Sequence, residues 1–204
     1  MKDAEKRMKE KITQVSIQLF EHKGFSETSI QDICDGLGVT KGTFYYYFTS
    51  KEELLMDIHL RYIDDMLRRQ EQIINDPDKN SRTKLFDVVH MLIRTIERQG
   101  ASARVFFREM RHLNEERLAS IVTKRNQFRA NIETLLRMGV EAGEFRRNLN
   151  VKIAALGILG ITNWSYQWFR PTGDMSDREV AEIFAAMILQ GIASESGLQE
   201  HFPG

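Results

Sequence analysis

The sequence predicts an all-α protein of two parts: an N-terminal three-helix, helix-turn-helix domain over residues 1–50 and a larger helical domain over 51–204. Three observations lead there. Prolines are scarce, with only Pro77, Pro171 and Pro203 in 204 residues. Long stretches rich in Glu, Lys, Arg, Leu, Ile and Met repeat apolar residues at helical spacing. Two short apolar patterns meet at Gly38, in the proportions of a helix-turn-helix. Hydrophobic residues make up 42% and charged residues 28%, which excludes a wholly disordered chain. The formal net charge is zero, so any affinity for polyanions must come from local segregation of charge. One cysteine, Cys34, excludes an intramolecular disulfide and fits a reducing cytoplasm. No apolar run is long enough to cross a membrane, and the charged start, MKDAEKRMKEK, does not read as a secretory signal.

The first helix is expected from about Ala4 to His22, with Ile12, Val15, Leu19 and Phe20 among its apolar residues and Gly24 as its C-cap. TSIQDICDGLG reads as a short second helix capped by Thr28 or Ser29, with Asp32 in its first turn. Gly38 supplies the tight turn, and Thr40 caps a third helix from Lys41 to Phe48. TSKEEL starts a fourth helix at Lys51 that runs to about Ile74. NDPDKNS, Asn75 to Ser81, is the clearest linker. Beyond it, helices are expected over Leu85–Gln99 (broken by Gly100), Ala103–Leu113, Glu115–Ala142 and Val151–Phe169, with a last helix capped by Ser176 or Asp177 and running to about Ala193, followed by a frayed tail.

The sharpest local feature is GVTKGTFYYYFTSKEEL, Gly38 to Leu54. Phe44 and Phe48 stand four apart and share a face that can pack on Ile30, Ile33 and Phe20. That leaves Lys41, Thr43, Tyr45, Tyr46 and Tyr47 on or near the outer surface. A phenol can donate to a phosphate oxygen and lay its ring against sugar or a thymine methyl. Gly42 permits close approach of the backbone to DNA. Thr40, Thr43 and the first-turn N–H groups can bind phosphate. Lys41 can reach a base edge or phosphate, Lys51 another phosphate, and Gln31 one more. Met1 to Lys51 carries eight Lys/Arg against seven Asp/Glu, so folding or pairing of two copies must concentrate the basic groups. Such a tyrosine-rich helix can equally cap a core.

The stretch Leu19 to Leu55, LFEHKGFSETSIQDICDGLGVTKGTFYYYFTSKEELL, resembles the TetR family of bacterial transcription regulators. It shares the Gly-aromatic step, the Thr, the Ile-x-x-Ile step and Gly-Val-Thr-x-Gly-x-Phe-Tyr-x-Tyr-Phe-x-x-Lys. Cys34 departs from the family's usual alanine, and a buried core thiol is expected there. The resemblance implies a homodimeric, all-α repressor whose first three helices bind double-stranded operator DNA. The C-terminal body then holds the effector site and the dimer seam. Carried over residue by residue, the DNA contacts are Thr28, Gln31, Thr40, Lys41, Gly42, Thr43, Tyr45, Tyr46, Tyr47 and Lys51. Asn163 to Phe184 resembles a subset whose members respond to fatty-acid or steroid-derived acyl-CoA thioesters.

In the body, AALGILGITNW and VAEIFAAMILQGI suit a four-helix seam between two copies, formed by the last two helices; they can also pack within one monomer. Candidate effector contacts are Arg104, Phe107, Arg108 and Arg111 in ARVFFREMRH, Asn126 and Arg129 on the next helix, and Asn163, Trp164, Gln167 and Trp168. The arginines can instead be solvated, and the tryptophans can pack beside Pro171. A second reading is a DNA-binding regulator without a small-molecule effector. A third, a helical enzyme or metal protein, lacks support: the five histidines are scattered, and no phosphate loop or Gly-x-Ser-x-Gly is present. No cofactor or metal is expected.

Overall fold

In the computed structural model, residues 2–190 are described, with side chains from residue 4 onward. They form eight α-helices and one short 3-10 turn, with no strand among the described residues. The helices are α1 Lys2–Lys23, α2 Ile30–Leu37, α3 Lys41–Tyr47, α4 Lys51–Ile74, α5 Ser81–Arg108, α6 Glu115–Glu141, α7 Val151–Trp168 and α8 Asp177–Gln190. The expected tail, Glu195 to Gly204, and the expected last turn of the final helix lie outside the described residues.

Local chemistry accounts for the N-terminal boundaries. Ser29 caps α2 with a reciprocal bond to Asp32, a capping box. The pKa of Asp32 is thereby held down to about 2, first by the Ser29 backbone N–H, then by the Ser29 hydroxyl and Lys23. Gly38 takes a left-handed conformation, φ 65°, and Thr40 caps α3 by accepting from the Thr43 N–H. Phe20, Ile33, Phe44 and Phe48 are buried together, so α1, α2 and α3 share one small core. Cys34 belongs to it, and burial, then the Asp35 charge, push its thiol up.

The break expected at Gly100 is found one residue earlier: α5 spans Ser81–Arg108 but is interrupted by a kink at Gln99, whose φ −136° and ψ 35° are not helical. Ala103, Val105 and Phe106 are buried beyond the kink. The space Gly100 leaves is used by Arg104, whose Nη1 would stand 3.1 Å from a Cβ there. In the body α5 packs on α4, α6, α7 and α8. Gln70, fully buried on α4, donates to the Phe128 carbonyl and accepts from Asn131, which pins α4 to α6. His90 meets Asp177 at 3.2 Å and ties α5 to the start of α8.

Candidate nucleic-acid interface and effector cavity

The α2–turn–α3 unit divides its aromatics by helical period. Phe44 is 0% and Phe48 1% exposed, while Tyr45 is 53% and Tyr46 69% exposed. Gln31, Thr40, Lys41 and Gly42 are also exposed, and Thr43 and Tyr47 are half-buried. Gln31 donates to Asp35 at 2.7 Å. Thr43 spends its N–H on Thr40, so that amide is not free for phosphate.

Two expected contacts stand elsewhere. Thr28 is fully buried, and its hydroxyl donates to the Gly24 carbonyl at 2.8 Å. Lys51 turns its ammonium inward: Nζ donates to the carbonyls of Phe25 and Thr28, each at 2.7 Å, and lies 4.3 Å from the Phe25 ring centroid. The carbonyls at the bend between α1 and α2 need donors, and a lysine at the start of α4 reaches them. Lys51 is thus a tie between reader and body.

A second set of ties joins α1 and the bend after it to α5 and the 3-10 turn that follows. Arg104 pairs with Glu21, and the rings of Phe25 and His112 meet at a tilt of 33° with centroids 5.1 Å apart. Against the expectation that the scattered histidines form no Glu-x-x-His step, Glu109 and His112 stand at that spacing and meet at 3.3 Å. Among the described residues no group of three His, Cys, Asp or Glu could hold a metal ion.

Between α4, α5, α6 and α7 lies a cavity of about 580 Å³. Phe107, Asn126, Arg129, Asn163 and Trp164, expected from the sequence, line it. Arg104, Arg108, Arg111, Gln167 and Trp168 do not. Arg104 lines a separate cleft of about 670 Å³ between α1, α4 and α5. Arg108 and Arg111 are exposed, Gln167 donates to the Tyr166 hydroxyl, and Trp168 stands edge-on to Phe184. The helical phase of α5 explains this: Phe106 and Phe107 face the cavity, which turns the arginines around them outward. Sequence reasoning missed Arg125, Tyr62 and Tyr166, whose signals were the neighbourhood of Asn126, the apolar face of α4 and the turn after Asn163. Phe107 and Tyr166 stack at 4.7 Å and form part of the wall. Arg129 Nε lies 3.4 Å from Glu133 without hydrogen-bond geometry, and among the described residues the Arg125 side chain donates to the Met110 sulfur alone. The lining is therefore mainly apolar, with two lightly engaged guanidinium groups on one side.

Ile153 (62% exposed) and Leu156 (44%) on α7, with Ile183 (46%) and Met187 (43%) on α8, leave an apolar face uncovered. Val180 and Ala155, expected at a seam, are buried within the monomer instead.

A buried-Phe, exposed-Tyr reader beneath a helical body with an internal cavity defines a helix-turn-helix transcription regulator. The chain belongs to the TetR family: residues 12–58 match the model for bacterial regulatory proteins of the tetR family, and residues 78–192 match that of the tetracyclin repressor-like C-terminal domain. It is a family of regulators, not of enzymes. The transcriptional repressor KstR2 of Mycobacterium tuberculosis is 28% identical over 185 residues, covering 90% of this chain and 92% of its own. The regulator PfmR of Thermus thermophilus superposes with a TM-score of 0.83 at 30% identity, covering 90% of this chain and 99% of its own. AibR, solved with isovaleryl coenzyme A and operator DNA, shares the fold at 22% identity and a TM-score of 0.80, over 89% of this chain and 98% of its own. Among the described residues, no helix is long and apolar enough to cross a membrane.

Proposed function

We propose that this protein is a homodimeric, cytoplasmic repressor that binds operator DNA through α2 and α3. It releases the DNA when a small amphiphilic effector of the acyl-coenzyme A class fills the cavity. Residues 1–50 serve as reader, and 51–204 as the effector-binding and dimerisation body. The observation that carries the effector half is the cavity itself: aromatic and aliphatic walls for an acyl or sterol-derived chain, with Arg125 and Arg129 for a carboxylate or phosphate. The repressor relatives and the acyl-CoA bound to AibR support the same reading. Regulation without an effector is less favoured, because a solid core would serve it better.

Linkage supplies the mechanism. A ligand that prefers the conformation with the wrong reader spacing weakens DNA binding by that preference. α4 forms one cavity wall and holds the reader through Lys51, so its tilt is the transmitting motion. The experiment is mass spectrometry of compounds that co-purify with the native protein, followed by gel shifts with them and with isovaleryl and longer-chain coenzyme A thioesters. Release of DNA is expected, and Arg129→Ala should weaken the effector about tenfold while DNA binding persists. No bound compound and no response to any thioester would remove the effector half of the proposal.

A further inference from the structure

The Tyr46 hydroxyl donates to Glu5 Oε1 at 3.2 Å, a bond between residues 41 positions apart. Glu5 lies on the first turns of α1, ahead of residue 12 where the reader's family match begins. The Tyr46 ring meets the Tyr47 ring at 4.9 Å and 82°, so the phenol is steadied at its side as well as at its tip. Yet Tyr46 is the most exposed aromatic of α3. Glu5 also pushes the phenol up from its ordinary value through the same bond, which keeps the proton on the oxygen.

A phenol has one O–H to give and lone pairs to receive with. With the O–H spent on a carboxylate, Tyr46 shows an acceptor outward. Phosphate oxygens, guanine O6 and N7, and thymine O4 are acceptors too and cannot complement it. The donors on the major-groove edge are the exocyclic amino groups, adenine N6 and cytosine N4. Tyr45 differs: it makes no side-chain hydrogen bond among the described residues and keeps its O–H for a phosphate.

We propose that Glu5 is a specificity-determining residue that holds the Tyr46 hydroxyl as an acceptor, so that Tyr46 reads the amino group of an adenine or cytosine rather than the DNA backbone. Glu5 acts through Tyr46 and is a positioning residue. Lys6 and Arg7, which follow it and are exposed, offset its charge toward nearby phosphates. The inference rests on the proposed role of α3 as reader.

The test is selection from a random pool of duplexes about 30 base pairs long, carried out with wild type, Glu5→Ala and Tyr46→Phe. The duplex selected by wild type is then titrated with each protein over a range of salt. Thermal melting checks that both variants fold. Expected is one adenine- or cytosine-bearing position that becomes degenerate with both variants, the other positions being kept. Each variant should bind the wild-type duplex about tenfold more weakly. Identical motifs from wild type and Glu5→Ala overturn the inference. So does a Tyr46→Phe motif identical to that of wild type with uniformly weaker binding across sequences, the mark of a lost backbone contact. If Lys41→Ala binds the selected duplex as well as wild type, or wild type selects nothing, the reader assignment itself falls and takes this inference with it.

Discussion

Single residues in this chain do different work from what their type suggests. Lys51 is a cation that binds carbonyls, while Lys41 is exposed at the start of α3. Lys41→Ala should therefore cut operator affinity about tenfold in gel-shift titration and leave thermal melting unchanged. Lys51→Ala should lower the melting temperature, because it removes the ammonium that donates to the Thr28 carbonyl and leaves the Phe25 carbonyl with the Thr28 N–H alone. His59 offers a pH test. It is fully buried on α4, its Nδ1 bonds the Leu55 carbonyl at 2.8 Å, and its Nε2 has no hydrogen-bond partner among the described residues. Desolvation dominates and pulls it below the ordinary histidine value of 6.5. The unfolded chain then takes up the proton first. Stability is full above about pH 6.5 and is lost as the pH falls below it. Wild-type melting temperature should drop from about pH 7.5 to about pH 5.5, and His59→Leu should flatten that drop.

Whole elements depend on two glycines for opposite reasons. Gly38 needs its left-handed φ of 65° and has nothing within 4 Å of a methyl placed there, so Gly38→Ala should cost about 1–2 kcal/mol from backbone strain alone. Gly139 is helical, but a Cβ there would run into the Phe145 ring and lie 3.0 Å from Ser81 Cβ. Gly139→Ala should cost about 1–3 kcal/mol by overpacking where α6 meets α5. Denaturant unfolding of both variants measures the two penalties, and only Gly38→Ala should also weaken DNA binding. The boundaries of α2, α3, α4 and α6 were legible because Ser29, Thr40, Ser50 and the Gly143 bend announce themselves in sequence. The interruption of α5 was legible as well, because Gly100 marks it to within one residue of the kink at Gln99.

At the scale of the whole molecule, two readers must be held together to match a two-fold site. The uncovered face of α7 and α8 is the surface proposed to do so. Ile183→Glu should leave the monomer folded, because Ile183 is 46% exposed, and should convert dimer to monomer in sedimentation analysis. Operator affinity should then fall by about a hundredfold or more, since the second reader no longer binds at high effective concentration. A dimer unaffected by this substitution would move the seam elsewhere.

The sequence by itself determined the helical class, the capped reader and the shared inward face of Phe44 and Phe48. All of these depend on neighbours a few positions apart, where spacing and capping chemistry act directly. Only the tertiary structure decided which arginines reach the cavity, that Thr28 and Lys51 serve the fold, and that Glu5 meets Tyr46. Those facts depend on the rotation of one helix against another, which is set by the packing of many side chains at once and leaves no short-range mark in the chain.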